Sequence, residues 1–144
     1  MKAIAYNISP QDKEWLIQAN FKKHDITIIT NSLSAKTLAY AAGKEALILL
    51  NEDPLSANQL QELKNIGIKY IATGSYLTDH IDLEKARQIG LKIANVPFEQ
   101  GGSLEIMQQV IKNLDNWGAG NCVGEACCCQ KTCGIKTQFP ESHA

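Results

Sequence analysis

Five cysteines lie within twelve residues near the end of the chain, and no cysteine precedes them. They form the pattern C-x4-CCC-x3-C, with glycine on both sides. Thiolates favour zinc, copper(I) and iron–sulfur clusters, and four of them can form a tetrahedral site. The pattern therefore predicts a metal ion or an iron–sulfur cluster bound by Cys122, Cys127, Cys128, Cys129 and Cys133.

The spacing of these cysteines leaves two other interpretations open. It matches neither paired C-x2-C ligands nor the run found in ferredoxins. Lys131 lies inside the cluster and would favour a thiolate, which is the reactive form in thiol redox chemistry. The third interpretation is a tail without a bound partner, because residues 134–144 have the composition of a disordered segment.

Composition and the N-terminal residues indicate where this chemistry takes place. The first apolar run, about five residues long, is too short for the core of a signal peptide, and no run suffices for a membrane span. The net charge of -1 over 144 residues gives no basic excess for nucleic acid or an anionic membrane. We therefore expect a cytoplasmic protein, with neither nucleic acid nor membrane as partner, whose thiols stay reduced.

The elements that position any site lie in the cysteine-free body, which we assign to residues 1–117, with residues 118–144 as a tail. Apolar and β-branched runs predict five strands at residues 2–6, 26–29, 46–50, 69–72 and 92–96. Capping residues and terminal glycines predict helices between them. These helices begin after Ser9, Ser56 and Asp82, and a further one spans residues 34–42.

Alternating strands and helices predict an α/β fold, with a parallel five-stranded sheet between two layers of helices. We expect the flavodoxin-like strand order 2-1-3-4-5, in which ligands bind beyond the carboxyl ends of the strands. Polar residues follow the predicted strands at that edge and predict a site for a small polar ligand. They include Asn7, Asn31, Asn51, Gly74, Ser75, Tyr76 and Asn95.

A further helix is predicted at residues 103–117. Apolar residues recur there at steps of three and four, and the other face is polar, so the helix is amphipathic. Two interpretations remain for the apolar face. It packs on the sheet of its own chain, or it pairs with a partner helix or domain and so forms a homo-oligomer.

Two segments of the body carry a resemblance to a known family. They are TDHIDLEKA at residues 78–86 and IGLKIANVP at residues 89–97. Together they resemble the substrate-binding, or catalytic, domain of the D-isomer-specific 2-hydroxyacid dehydrogenases, which include D-lactate dehydrogenase. The resemblance covers about residues 1–117, and the helix at 103–117 falls where the interdomain helix of that family begins.

The resemblance implies a flavodoxin-like domain that binds a small 2-keto or 2-hydroxy acid. It also implies NAD as the cofactor, with hydride transfer between the nicotinamide and carbon 2 of the acid. In that family, main-chain N–H groups of the loop after the fourth strand bind the substrate carboxylate. The implied substrate-binding residues are Asn51, Gly74, Ser75 and Tyr76.

Three features of the sequence depart from the family pattern. Gly74 and Leu77 stand near positions where the family loop carries arginine and glycine. The triplet GAG at residues 118–120 has no preceding strand and no third glycine, so it does not predict a dinucleotide site. The catalytic Arg, Glu and His of the family fall in a part that this sequence does not match. None of His24, His80 and His143 is their equivalent, and we interpret His80 as a capping or surface residue.

We therefore expect a substrate-binding domain that does not act alone as a complete dehydrogenase. A separate dinucleotide-binding chain is the partner that would complete it. The alternative function is that of a metal-binding or thiol-redox protein, in which the body supports the cysteine cluster.

Overall fold

A computed structural model describes residues 1–121 and Val123. Strands and helices alternate along this part of the chain, as the sequence predicts. Their bounds are β1 Lys2–Tyr6, α1 Pro10–Asn20, β2 Asp25–Ile28, a 3-10 helix Leu38–Ala41, β3 Ala46–Leu49, α2 Ala57–Ile66, β4 Tyr70–Thr73, α3 Leu83–Ile89, β5 Lys92–Ala94 and α4 Ser103–Gly118.

The five strands form one parallel sheet in the order β2-β1-β3-β4-β5. This confirms the predicted α/β class and strand order. Strand β2 lies on one side of β1, and β3, β4 and β5 follow one another on the other side. The loops after β3, β4 and β5 therefore lie side by side at one edge.

Side chains of the sheet pack into two separate cores, one on each face. Alternation along β1 places Ala3 and Ala5 on the face covered by α1 and α4, and Ile4 and Tyr6 on the face covered by α2 and α3. The rings of Tyr70 and Trp117 stack at the first face, with their centroids 4.9 Å apart. The sheet is thus covered on both sides, and only its ends and edges meet solvent.

Side-chain caps fix where the helices begin. The Ser9 hydroxyl accepts the Asp12 N–H before α1, and Ser56 forms a reciprocal capping box with Gln59 before α2. The Asp82 carboxylate accepts the Lys85 N–H before α3. All three caps were predicted from the sequence, and they position the loops that precede these helices.

The helix predicted at residues 34–42 is wrong in its length, because only Leu38–Ala41 forms one turn of 3-10 helix. The Thr37 hydroxyl explains the difference. It accepts the Ser34 N–H at 2.9 Å and donates to the Ser32 carbonyl at 2.6 Å, so this side chain holds the segment in a turn.

Helix α4 buries its apolar residues inside its own chain. Met107, Val110, Leu114 and Trp117 join the core beneath α1 and α4. These residues are therefore occupied, and pairing with a partner would need a different surface. Among the described residues, no helix has the length and apolar character that crossing a membrane requires.

Candidate functional site

A cleft of about 460 Å³ lies beyond the carboxyl ends of β3, β4 and β5. The loops after these strands form its floor and sides, and the first turn of α4 closes one end. All four residues predicted to bind substrate border this one cleft. Its lining comprises Leu50, Asn51, Glu52, Gly74, Ser75, Tyr76, Leu77, Val96, Phe98, Glu99, Gly101 and Ile106.

The loop after β4 is held in shape by the buried hydroxyl of Ser75. This hydroxyl donates to the Leu77 carbonyl at 2.8 Å and lies 3.1 Å from the Thr73 hydroxyl. The Val96 N–H donates to the Ser75 carbonyl at 3.0 Å and ties the loop to the end of β5. The Ser75 side chain is therefore a positioning group, and its main chain is what the cleft can use.

Three successive main-chain donors border the cleft without an acceptor. The Gly74 N–H donates to the Leu49 carbonyl at 2.8 Å and so continues the sheet. For the next N–H groups, those of Ser75, Tyr76 and Leu77, the described part of the chain provides no hydrogen-bond acceptor. Successive unpaired N–H groups in a turn suit a small anion, because several of them can bind one oxygen or one carboxylate.

A chain of side-chain amides joins this loop to α4. The Asn95 amide donates to the Tyr76 carbonyl at 2.6 Å, and the Asn113 amide donates to the Asn95 carbonyl at 3.3 Å. Gln109 donates in turn to Asn113 at 3.0 Å. Asn113 is only 2% exposed, so a buried polar residue of the helix supports the loop. The sequence analysis missed Asn113, and a lone asparagine on the apolar side of an amphipathic helix was the available signal.

Gly74 leaves no space for a side chain. A Cβ atom at this position would lie 3.1 Å from Ile106 Cγ2 and 3.2 Å from the Leu50 Cα atom, tighter than ordinary van der Waals contact. Leu50 and Ile106 thus fill the space that a side chain at position 74 would need. The packing around the cleft therefore excludes an arginine side chain at position 74, where the family carries one. Any anion that binds here would be bound by the main chain.

Asn51 lies at the rim of the cleft towards β1. Its amide is 3.5 Å from the Asn7 carbonyl, at the limit of a hydrogen bond, so the side chain is free to turn towards a ligand. Asn7 itself is engaged, because its N–H donates to the Asn31 carbonyl and its amide donates to Asp53 at 3.0 Å. The predicted Asn31 and Asn7 thus lie beside the cleft, outside its lining.

The charges around the cleft are negative. Glu52 and Glu99 line it, and none of the described residues in its lining is Lys, Arg or His. An anion therefore meets main-chain dipoles but no opposite side-chain charge. Tight binding of a carboxylate would need a cation supplied from outside these residues.

His80 is not among the residues that line the cleft. Its carbonyl accepts the Leu55 N–H at 2.8 Å, and its Nε2 atom is buried with no partner among the described residues. Burial lowers the pKa of His80, although the nearby carboxylates of Glu52, Asp53 and Asp79 oppose the shift. His80 therefore holds the loop before α3, which is consistent with a structural residue and not with a proton donor to the cleft.

The other described histidine is also structural. His24 Nε2 lies 2.7 Å from an Asp115 oxygen, and the second Asp115 oxygen accepts from Lys23 at 3.2 Å. This cluster ties the turn after α1 to α4, far from the loop after β4 in the chain and at the opposite edge of the sheet.

The described residues do not fit a dinucleotide. The only glycine pair near the cleft, at residues 101–102, precedes α4, where a pyrophosphate would need free N–H groups. The Glu105 carboxylate already accepts the Gly102 N–H at 3.0 Å, and its charge would repel a phosphate. This glycine pair therefore does not fit the pyrophosphate of a dinucleotide.

The predicted metal site lies outside the described residues, since these exclude Cys122, Cys127, Cys128, Cys129 and Cys133. Within residues 1–121 and Val123, no group of three or more His, Cys, Asp or Glu side chains could bind a metal ion. The metal site and the thiol-redox alternative therefore stay predictions from sequence.

The fold and cleft define an open α/β domain with a turn of unpaired main-chain N–H groups at the carboxyl edge of its sheet. Comparison with known proteins gives the family. The model of the D-isomer specific 2-hydroxyacid dehydrogenase catalytic domain matches residues 3–126. The chain therefore belongs to that family and corresponds to its catalytic domain.

Individual relatives agree with this assignment. D-lactate dehydrogenase of Escherichia coli K12 is 35% identical over 98 residues, which cover 67% of this chain and 30% of the relative. Its apo structure superposes with a TM-score of 0.64 at 34% identity, over 68% of this chain and 31% of that one. The aromatic 2-oxoacid reductase of Clostridium sporogenes is 27% identical over 141 residues, or 86% of this chain and 42% of the relative. The chain thus spans less than half the length of these relatives.

Proposed function

We propose that the cleft binds the carboxylate of a small 2-oxo or 2-hydroxy acid. The observation that carries the proposal is the row of unpaired main-chain N–H groups at Ser75, Tyr76 and Leu77. Three successive unpaired donors in a turn suit a carboxylate, and the hydrogen bonds of Ser75 hold the loop in place before a ligand arrives. The relatives carry names of enzymes that act on such acids, which supports this choice of anion.

Asn51 and Tyr76 are the side chains that we assign to the rest of the ligand. Asn51 has an amide at the rim that is not fixed by a strong hydrogen bond, and it can reach a 2-oxo or 2-hydroxy oxygen. Tyr76 is 42% exposed beside Phe98, so the two rings would cover a hydrophobic substituent.

This cleft alone does not perform hydride transfer. Its described residues supply neither a cation nor a dinucleotide site, and His80 is not among the residues of the lining. We propose that a dinucleotide-binding unit completes the site, either as another part of a longer protein or as a separate chain. It would bring NAD and a cationic side chain over the open face of the cleft, and a reducing cytoplasm is the compartment where we expect it to act.

Calorimetric titration with pyruvate tests the carboxylate proposal. We expect weak binding, with a Kd of about 1 mM, because the carboxylates of Glu52 and Glu99 repel the anion that the main-chain donors attract. Glu52→Gln should tighten binding several-fold, since it removes one repelling charge from the lining. Glu62→Gln, on the exposed side of α2, is the matched control and should change nothing.

Acetone is the matched ligand, since it lacks the carboxylate but keeps the carbonyl. Binding of acetone as strong as that of pyruvate would contradict the proposal. So would a pyruvate affinity that responds equally to Glu52→Gln and to Glu62→Gln, because the charge would then act at long range and not in the cleft.

A further inference from the structure

The cleft combines two kinds of group that would bind opposite charges. Ser75, Tyr76 and Leu77 border it with main-chain N–H groups that have no acceptor in the described part of the chain. Glu52 and Glu99 line the same cleft with carboxylates. A site of this composition is complementary to a ligand that carries a negative and a positive group close together.

The two carboxylates of the cleft are not neutralised within residues 1–121 and Val123. Neither Glu52 nor Glu99 forms an ion pair there, and both side chains are exposed and can turn towards a ligand. His80 interacts with Glu52, but burial lowers the pKa of His80, so its ring is neutral at pH 7. Carboxylates without a counter-charge raise the local concentration of cations in a cleft.

A 2-oxo acid meets only half of this arrangement. Its carboxylate suits the unpaired N–H groups, but its carbonyl oxygen is an acceptor and offers nothing to the carboxylates of Glu52 and Glu99. A 2-amino acid carries an ammonium group on carbon 2, next to its carboxylate, and this group has three N–H donors. Both charged groups of the amino acid therefore find opposite partners in the one cleft.

We propose that the cleft binds a zwitterionic 2-amino acid with an apolar side chain, in competition with the 2-oxo acid. The carboxylates of Glu52 and Glu99 bind the ammonium group. The inference rests on the proposed function in one respect, since the same N–H groups of Ser75, Tyr76 and Leu77 bind the carboxylate of either ligand.

Asn51 supplies a third acceptor for the ammonium group. Its amide nitrogen lies 3.5 Å from the Asn7 carbonyl, so this side chain is held only weakly. Rotation of the amide presents its oxygen to the cleft in place of its nitrogen, because an amide carries both an acceptor and a donor. With Glu52 and Glu99, the three N–H groups of the ammonium then have three acceptors in the lining.

The rest of the lining determines which amino acids fit. Leu50, Val96 and Ile106 form apolar walls, and the rings of Tyr76 and Phe98 lie at the same cleft. A volume of about 460 Å³ leaves space for a side chain larger than a methyl group. An acidic side chain would be repelled by the two glutamates, since the described lining contains no cation. The cleft thus suits a neutral, apolar amino acid.

Titrations with pyruvate and with alanine test this inference, because the two ligands differ mainly in the group on carbon 2. Both enantiomers of alanine are titrated at pH 7 and low ionic strength, and amide chemical shifts of the labelled protein report binding. We expect the preferred enantiomer to bind about five-fold more tightly than pyruvate, as an exposed ion pair allows. The N–H resonances of Ser75, Tyr76 and Leu77 should shift with both ligands.

Glu52→Gln distinguishes the two ligands most sharply. It should weaken binding of alanine and tighten binding of pyruvate, because one carboxylate attracts the ammonium group and repels the anion. In the double variant with Glu99→Gln, the preference for alanine should be lost. Glu62→Gln, on the exposed side of α2, should change neither affinity.

Isopropylamine lacks the carboxylate of alanine, and propionate lacks the ammonium group, so both should bind more weakly than alanine. Isopropylamine that binds as tightly as alanine would overturn the inference, since the turn would then contribute nothing. Alanine that binds no more tightly than pyruvate, or that responds to Glu52→Gln in the same direction, would also overturn it. The proposed function would still stand in that case if pyruvate shifts the three amides.

The opposite failure is equally distinct. Binding of alanine at the three amides, without binding of pyruvate, would support the inference and contradict the proposal of a 2-oxo acid. Three amides that shift with neither ligand would contradict both.

Discussion

The loop after β4 and the end of α1 both expose large apolar side chains, but their surroundings differ. Tyr76 and Leu77 border a concave cleft beside unpaired main-chain donors. Ile17 and Phe21 lie beside the edge strand β2, where Ile17 borders a groove of about 310 Å³ that is lined in part by polar and charged residues. Exposed hydrophobic area alone would not separate the two surfaces.

This difference shows what makes the first surface suited to a small ligand. A small anion needs several donors close together and a wall that limits its size. The cleft meets this description, because unpaired main-chain N–H groups of one loop lie at its lining.

Gly74→Ala should have the largest effect, and only on the cleft. The new Cβ would press on Ile106 and on the Leu50 main chain, so we expect the free energy of unfolding to fall by about 2 kcal/mol. Pyruvate binding should weaken as well. Urea denaturation measures the first effect, and Gly118→Ala is the control because its Cβ meets no atom within 4 Å. Equal stability of the two variants would mean that the packing around Gly74 is not tight.

Asn113→Ala tests whether α4 supports the loop. Loss of the amide leaves the half-buried Asn95 carbonyl without this donor, and we expect a decrease of about 1 kcal/mol in the free energy of unfolding. The loop should loosen, so binding of pyruvate weakens. Asn65→Ala removes a similar amide bond on the exposed side of α2 and should affect neither quantity by much. An unchanged affinity of Asn113→Ala for pyruvate would mean that α4 does not support the binding loop.

Phe21→Gly tests the backbone strain at the end of α1. Glycine relieves the strain of a positive φ, so the free energy of unfolding should rise by about 1 kcal/mol. Lys22→Gly relieves similar strain at the next residue, and it should raise stability by a similar amount, measured by thermal unfolding. A loss of stability in both variants would contradict the strain at this turn.

The smallest effect concerns pH and His80. Because burial lowers the pKa of His80 below its ordinary 6.5, the unfolded chain binds a proton before the folded chain does as the pH falls. Stability is therefore full above pH 6.5 and decreases below it. His80→Gln should reduce this decrease, which denaturation at pH 7.5 and pH 5 measures. A variant with the same pH dependence as the native chain would assign the loss to other groups.

Much of this architecture follows from the sequence, because its signals are local. Apolar runs gave the five strands, and Ser9, Ser56 and Asp82 gave the caps. The loop residues 74–76 were predicted at the cleft because parallel strands bring their carboxyl ends together. The resemblance to the family was confirmed by the family model, whereas the ligand that it implies for this turn stays a proposal.

The features that the sequence does not predict depend on contacts between residues far apart in the chain, or on backbone conformations that the residue type disfavours. The sequence around Asn113 predicts only a helix, and its hydrogen bond to the Asn95 carbonyl depends on the fold. The contact of Gly74 with Ile106 joins two segments thirty-two residues apart, and no local rule gives it. Phe21 adopts a positive φ that a sequence reading assigns to glycine or asparagine. The turn at residues 34–37 replaced a helix through a single hydroxyl.

The cysteine cluster and the cleft therefore differ in the kind of evidence that supports them. The cleft is an arrangement of described residues, whereas the cluster at residues 122–133 stays a prediction from composition and spacing.

The most direct measurement for the carboxylate site is a pyruvate titration followed by amide chemical shifts of the isotope-labelled protein. The account predicts that the N–H resonances of Ser75, Tyr76 and Leu77 shift together along one binding curve, with downfield proton shifts that indicate new hydrogen bonds. Acetone should leave them in place. Shifts confined to other parts of the protein, with these three amides unchanged at saturating pyruvate, would contradict the proposed site.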